Sequence, residues 1–105
     1  MNLSQQKCIP CEGGMPPLTQ EQAKIHLEQI PQWKLKENNI ERNFVFKNFM
    51  EAMEFINKVA QIAEKEGHHP DITISYNKVH ISLTTHAISG LSVNDFIIAS
   101  KINTL

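Results

Sequence analysis

Long apolar runs, basic blocks and internal repeats are missing from this chain, and cysteine is scarce. No stretch approaches the ~20 consecutive apolar residues that a membrane-spanning helix needs. The segment from Asn2 to Lys7 is polar and lacks the apolar region of a signal peptide, so the expected location is cytoplasmic. There is no Lys/Arg cluster, and the net charge is −1 over 105 residues. The positive footprint of sequence-independent nucleic-acid binding is therefore absent. The two cysteines, Cys8 and Cys11, form a Cys-x-x-Cys pair in KCIPCEGG. Such a pair can supply half of a zinc site or a redox couple. Nothing nearby supplies the other half and no βαβ unit follows, so the expectation is a reduced, exposed pair on a flexible arm.

What is present is an ordinary globular composition, 41% hydrophobic and 20% charged, at a length that fits one domain. Pro10, Gly13, Gly14, Pro16 and Pro17 mark residues 1–17 as a flexible N-terminal arm without regular structure, and residues 18–105 as the folded domain. Thr19 with Gln22 is a capping box that opens a first helix, and Pro31 stops it. Trp33–Lys36 and Ile40–Lys47 read as two strands around a turn at Glu37-Asn38-Asn39. Their alternation is good except at Arg42 and Val45. Asn48 caps a long helix, Phe49 to Glu66, whose apolar residues follow i, i+3, i+4, i+7 spacing and which Gly67 should end. Phe55 and Ile62 lie off the main stripe and widen the buried face. Ile72, Ile74 and Tyr76 make a third strand, Asn77-Lys78 a two-residue turn, and Val79, Ile81 and Leu83 a fourth strand. Ser92 caps a last helix. The order α-β-β-α-β-β-α predicts an α+β domain, a four-stranded antiparallel sheet with the helices packed on one face. A free sheet edge in such a fold invites self-association.

Four of the five histidines fall in EGHHPDITISYNKVHISLTTH: His68, His69, His80 and His86. Imidazole titrates near pH ~6.5, so it can both give and take protons at neutral pH. His68 and His69 are pinned between Gly67 and Pro70, and the hairpin returns residues 84–86 to the neighbourhood of residues 69–72. His68, His69 and His86 therefore meet at one corner. His26 reads as a surface residue of the first helix and His80 as solvent-facing. The cluster allows two chemistries: general acid/base catalysis, or a three-histidine metal site with an open position. Adjacent His68 and His69 point divergently in most backbones, which weakens the metal reading and costs the acid/base reading nothing. Asp95 completes a capping box with Ser92, and it could also orient an imidazole if the last helix starts beside the corner. Glu64 and Glu66 read as ordinary helix-surface charge.

The combination HHP, YNKV, a Thr-Thr-His strand end and GLS-x-x-D closely resembles the pterin-4a-carbinolamine dehydratases. The likeness extends over about residues 18–103, with Trp33 and FVFKNFMEAMEFINKVA agreeing as well. The resemblance implies dehydration of 4a-hydroxytetrahydrobiopterin to quinonoid dihydropterin, with pterin as the substrate and no metal or redox cofactor. Such an enzyme recycles the cofactor of aromatic amino-acid hydroxylases. The alternative is a non-catalytic pterin-binding or dimerisation module. The family's active-site histidines fall on His68, His69 and His86, and its carboxylate on Asp95. Ring contacts would come from Gly67, His68, His69, Thr84, Thr85, His86 and Ala87. His68 and His86 are the expected acid/base pair, His69 chiefly holds the pterin, and Asp95 holds an imidazole. The resemblance also implies a homodimer or homotetramer.

Overall fold

Each helix begins at a side chain that satisfies its free amides. In the computed structural model, which describes residues 3–8 and 16–105, Thr19 Oγ1 accepts from the Gln22 amide at 3.1 Å while Gln22 Oε1 accepts from the Thr19 amide at 2.9 Å. This capping box opens α1 (Gln20–Leu27). Asn48 Oδ1 accepts from the Glu51 amide at 2.9 Å and opens α2 (Phe49–Glu66). Ser92 and Asp95 form the second capping box and open α3 (Val93–Ile102). The first helix is shorter than expected. Amides 28, 29 and 30 bond to carbonyls three residues back, which tightens the chain out of the α-helix before Pro31.

The strands are β1 (Lys34–Lys36), β2 (Asn39–Val45), β3 (Asp71–Ser75) and β4 (Lys78–Leu83), in spatial order β1-β2-β4-β3 with every neighbour antiparallel. Both tight turns differ from the sequence expectation. Lys36 pairs with Asn39, so the first turn is Glu37-Asn38, and Glu37 carries the positive φ of 55° that asparagine was expected to take. Ser75 pairs with Lys78, so the second is Tyr76-Asn77 with Tyr76 at φ 53°. Asn77 braces the second turn, its amide side chain donating to the Phe46 carbonyl at 2.8 Å.

Register explains the layers. Ile40 opposes Leu83, Arg42 opposes Ile81, and Phe44 opposes Val79, so these side chains share one face with Ile72 and Ile74. Against that face pack Ala52, Phe55 and Val59 of α2 and Phe96, Ile97 and Ala99 of α3, all in one core. Each fully buried aliphatic side chain here stabilises the fold by about 1.5–3 kcal/mol relative to exposure. Phe55 lies 4.7 Å and 4.9 Å, ring to ring, from Phe44 and Phe46, so the wide buried face of α2 is real. Arg42 fits the apolar face by laying its guanidinium 4.4 Å above the Phe44 ring and donating to Asn103 Oδ1 at 2.7 Å. The opposite sheet face carries Glu41, Asn43, Val45, Thr73 and His80, and no helix covers it among the described residues. Among the described residues no helix is long and apolar enough to cross a membrane.

Residues 3–8 depart from the expected flexible arm. Leu3–Gln5 form a 3-10 turn whose Leu3 is buried in the core beside α3. Lys101 Nζ holds the Ser4 carbonyl at 2.9 Å. One leucine supplies enough apolar area to seat the segment, which composition alone does not reveal. Cys8 is half-buried and not exposed as expected. Residues 9–15, with Cys11, lie outside the described residues.

Candidate active site

Gly67 ends α2 in the left-handed conformation, φ 67°, ψ 28°. A Cβ there would meet nothing within 4 Å, so the glycine answers to backbone conformation and not to space. The Gly67 and His68 amides both donate to the Ala63 carbonyl, which turns the chain sharply and sends His68 and His69 in different directions. His68 turns inward to α3, its Nε2 2.6 Å from Asp95 Oδ1. His69 turns outward to the last turn of α2, its Nε2 3.1 Å from Glu64 Oε1. The two pairs differ in burial. The His68 side chain is 13% exposed and Asp95 0%, against 60% and 79% for His69 and Glu64. A solvent-screened pair of the second kind contributes little, about 0–1 kcal/mol. Glu64 is thus an exposed charge that also holds an imidazole.

The Asp95 carboxylate accepts three hydrogen bonds, one through Oδ1 and two through Oδ2. Its Oδ2 accepts from the Ser92 amide at 2.9 Å, which is the helix cap, and from Thr85 Oγ1 at 2.8 Å. Thr85 Oγ1 also lies 2.8 Å from Ser92 Oγ. The carboxylate therefore ties together the start of α3, the end of β4 and the end of α2. An ionised carboxylate can only accept, so the 2.6 Å contact calls for a proton on His68 Nε2, and in a neutral ring Nδ1 is then the proton-accepting nitrogen.

His86 comes from the other side. After β4 the chain forms a bridge between Thr85 and Gly90, enclosing a 3-10 turn, His86–Ile88, not foreseen in the sequence. Thr84 Oγ1 fastens this loop by donating to the Asn38 carbonyl at 2.7 Å. Gly90 is needed for closeness: a Cβ would stand 2.6 Å from Pro17 Cβ. The His86 side chain is exposed, and its ring makes no hydrogen bond among the described residues.

Between these two walls lies a cavity of about 500 Å³, within the usual range for small-molecule sites. Gly67, His68, His69, Thr84, Thr85, His86 and Ala87 line it, and Asp95 sits behind His68. Sequence reasoning missed three further lining residues, Cys8, Glu66 and Asn94. Glu66 was assigned to the surface, and only its place in the last turn of α2 beside Gly67 hinted otherwise. His80 lies on the open sheet face, with Nδ1 2.6 Å from Asn43 Oδ1. His26 is half-buried and not a plain surface residue, its ring 5.3 Å from that of Phe96. Among the described residues no three His, Cys, Asp or Glu side chains are arranged to hold a metal ion.

The family model for pterin 4 alpha carbinolamine dehydratase matches residues 16–105. The chain belongs to that family. A protein of Nitrosomonas eutropha provisionally named pterin-4-alpha-carbinolamine dehydratase is 50% identical, over 99% of this chain and 93% of its own length. A protein of Alkaliphilus metalliredigens with the same provisional name is 48% identical over 97% and 94%. The crystal structure of a transcriptional coactivator/pterin dehydratase from Brucella melitensis matches with TM-score 0.80 and 33% identity, covering 84% of this chain and 96% of that one. A pterin dehydratase-like RuBisCO assembly factor of the alpha-carboxysome matches with TM-score 0.57 at 19% identity, covering 69% and 83%, and shares the fold alone. The α+β architecture described above is that of the pterin dehydratase family.

Proposed function

We propose that this protein dehydrates 4a-hydroxytetrahydrobiopterin to quinonoid dihydropterin by histidine general acid/base catalysis, and so recycles the cofactor of an aromatic amino-acid hydroxylase. The observation that carries the reading is the pairing of a buried His68–Asp95 couple with His86 across one cavity. The reaction removes hydroxide from C4a and a proton from a ring nitrogen, forming a C=N bond and water. It is redox-neutral, so the pterin is substrate only and the step calls for no resident cofactor. Hydroxide is a poor leaving group until an acid protonates it, and the ring-nitrogen proton needs a base. Two imidazoles lining one cavity meet both needs, each contributing roughly 10²–10⁴-fold.

In this reading His68, its tautomer set by Asp95, and His86 are the acid/base pair. His69 holds the pterin, with the ring also bound by Gly67, Thr84, Thr85 and Ala87. We also infer a cytoplasmic homodimer or homotetramer, because β1 and β3 are the two edges of the sheet and an edge favours pairing with a second copy. Loss of the 4a-hydroxypterin absorbance in a coupled hydroxylase reaction tests the activity. His68→Ala and His86→Ala should each lower the rate by roughly 10²–10⁴-fold, and unchanged rates would reject the assignment. Pterin binding without any acceleration would favour a non-catalytic binding module.

A further inference from the structure

The acid/base reading leaves two neighbouring features at the cavity without a role, the Glu66 carboxylate and the segment Leu3–Cys8 that leans on it. Glu66 is the last residue of α2, half-buried and part of the cavity wall. That is an unfavourable position for an anion, since the helix C-terminus carries partial negative charge. One compensation is visible: Oε1 accepts the Cys8 amide at 2.9 Å. The other oxygen makes no hydrogen bond among the described residues. An ionised carboxylate has about four acceptor sites and no donor. The cavity wall therefore keeps acceptor capacity beside His68 that the fold does not consume.

Residues 3–8 are fastened at both ends. Leu3 is buried in the core, its amide donating to Gln29 Oε1 at 3.4 Å, and Lys101 holds the Ser4 carbonyl. At the far end the Cys8 amide reaches Glu66, with Sγ 3.8 Å from the Asn94 carbonyl. The segment is thus a strap laid over the ends of α1, α3 and α2, and its last residue forms part of the cavity. A reduced pterin displays N–H donors around its rim, on the 2-amino group and on ring nitrogens. An acceptor-only group suits that rim.

We propose that Glu66 is a substrate-binding carboxylate of this cavity, accepting hydrogen bonds from N–H groups of the reduced pterin, and that the strap Leu3–Cys8 is the positioning element that keeps it aimed. The proposal rests on the pterin reading above. Two variants of the full-length chain test it. Glu66→Gln keeps the side-chain length and an oxygen for the Cys8 amide, but turns an NH₂ donor toward the substrate's own donors. Leu3→Asp unseats the strap at the end remote from the cavity. The measurements are kcat and KM for dehydration, and the Kd of 7,8-dihydrobiopterin by fluorescence titration.

Glu66→Gln should raise KM and Kd by about ten- to a hundredfold, the loss expected for one charge-assisted hydrogen bond, with kcat changed less than about threefold. Leu3→Asp should move KM and Kd in the same direction with kcat again nearly constant. If Glu66→Gln leaves both constants at wild-type values while His68→Ala is inactive, Glu66 is not a binding group and the dehydratase reading survives. That outcome also covers a carboxylate whose only task is to anchor the strap. If Leu3→Asp changes neither constant, the positioning role of the strap is overturned. If the wild-type chain neither binds dihydrobiopterin nor dehydrates the carbinolamine, the dehydratase reading falls and this inference with it.

Discussion

Replacing Asp95 by Asn separates two jobs that one side chain performs. The carboxylate accepts from His68 Nε2 at 2.6 Å through Oδ1, and from Thr85 Oγ1 and the Ser92 amide at 2.8 Å and 2.9 Å through Oδ2. An asparagine keeps one oxygen. Two donors converge on the Oδ2 position, so the oxygen stays there and the NH₂ turns to His68. The helix cap survives, but Nε2 now faces a donor and must accept, which moves the imidazole proton to Nδ1. A hydrogen bond to a charged group is worth about 1.5–3 kcal/mol and a neutral one about 0.5–1.5 kcal/mol. Unfolding free energy should therefore fall by only about 1–2 kcal/mol. The rate should fall much further, by about 10²–10⁴ in kcat, because His68 holds its proton on the wrong nitrogen. Asp95→Ala makes the contrast: the Ser92 amide and His68 Nε2 lose their acceptor and Thr85 Oγ1 keeps only Ser92 Oγ, so a loss of about 3–5 kcal/mol is expected. Urea unfolding gives the stability, the coupled hydroxylase assay gives kcat, and ¹⁵N chemical shifts of the imidazole report its tautomer. A side chain that only caps α3 would lower stability and spare kcat. An Asp95→Asn enzyme with wild-type kcat, or with His68 still protonated on Nε2, would refute the reasoning.

Three further substitutions have distinct signatures. His86→Ala should lower kcat by about 10²–10⁴ with little change in melting temperature, since the ring is exposed and makes no hydrogen bond among the described residues; a retained rate would exclude it from proton transfer. Gly67→Ala should cost about 1–2 kcal/mol in urea unfolding, purely from the left-handed backbone because its Cβ meets nothing within 4 Å. Gly67→Asn should be milder, and equal costs would contradict that account. Gly90→Ala should cost about 1–3 kcal/mol from crowding against Pro17 Cβ at 2.6 Å, and should also reduce kcat through the Thr85–Gly90 bridge that carries His86. Normal kcat with lowered stability would show that the loop absorbs the clash without moving the imidazole.

Much of the fold was legible because local rules and packing agree. The α2 helix has a capping asparagine, an apolar stripe and a terminal glycine, and the structure places it at Phe49–Glu66 as expected. The cavity histidines were legible through the β3–β4 hairpin, since antiparallel pairing returns the end of β4 to the start of β3 whatever the side chains. The first turn was drawn one residue too long and the second misplaced by one, because two residues with side chains, Glu37 and Tyr76, accept positive φ where the ladder needs it. Register decides there, and register is a tertiary property. The strap was illegible for a related reason. Its polar composition reads as solvated chain, while its seat is set by Leu3 entering the core and by contacts from Lys101 and Glu66, both remote in sequence. Cys8 inherits that blindness, and Glu66 had only its place beside Gly67 at the end of α2 to signal the cavity.

Asp95 was ambiguous in the sequence because it serves two functions through different atoms. Capping needs an acceptor in the first turn of α3, and a catalytic imidazole needs an acceptor behind it. A carboxylate has two oxygens about a carbon, so one residue meets both needs when the helix begins at the cavity wall. Under the proposed mechanism the arrangement would couple catalysis to folding. His68 is oriented only while α3 is capped against Thr85, so fraying at that helix start should deprotect the Asp95 amide and degrade turnover together. His86 depends on the β4 loop instead, and its alignment should survive such fraying as long as the Thr85–Gly90 bridge holds. The two walls of the site are thus stabilised by different parts of the fold, one by a buried carboxylate and the other by backbone pairing.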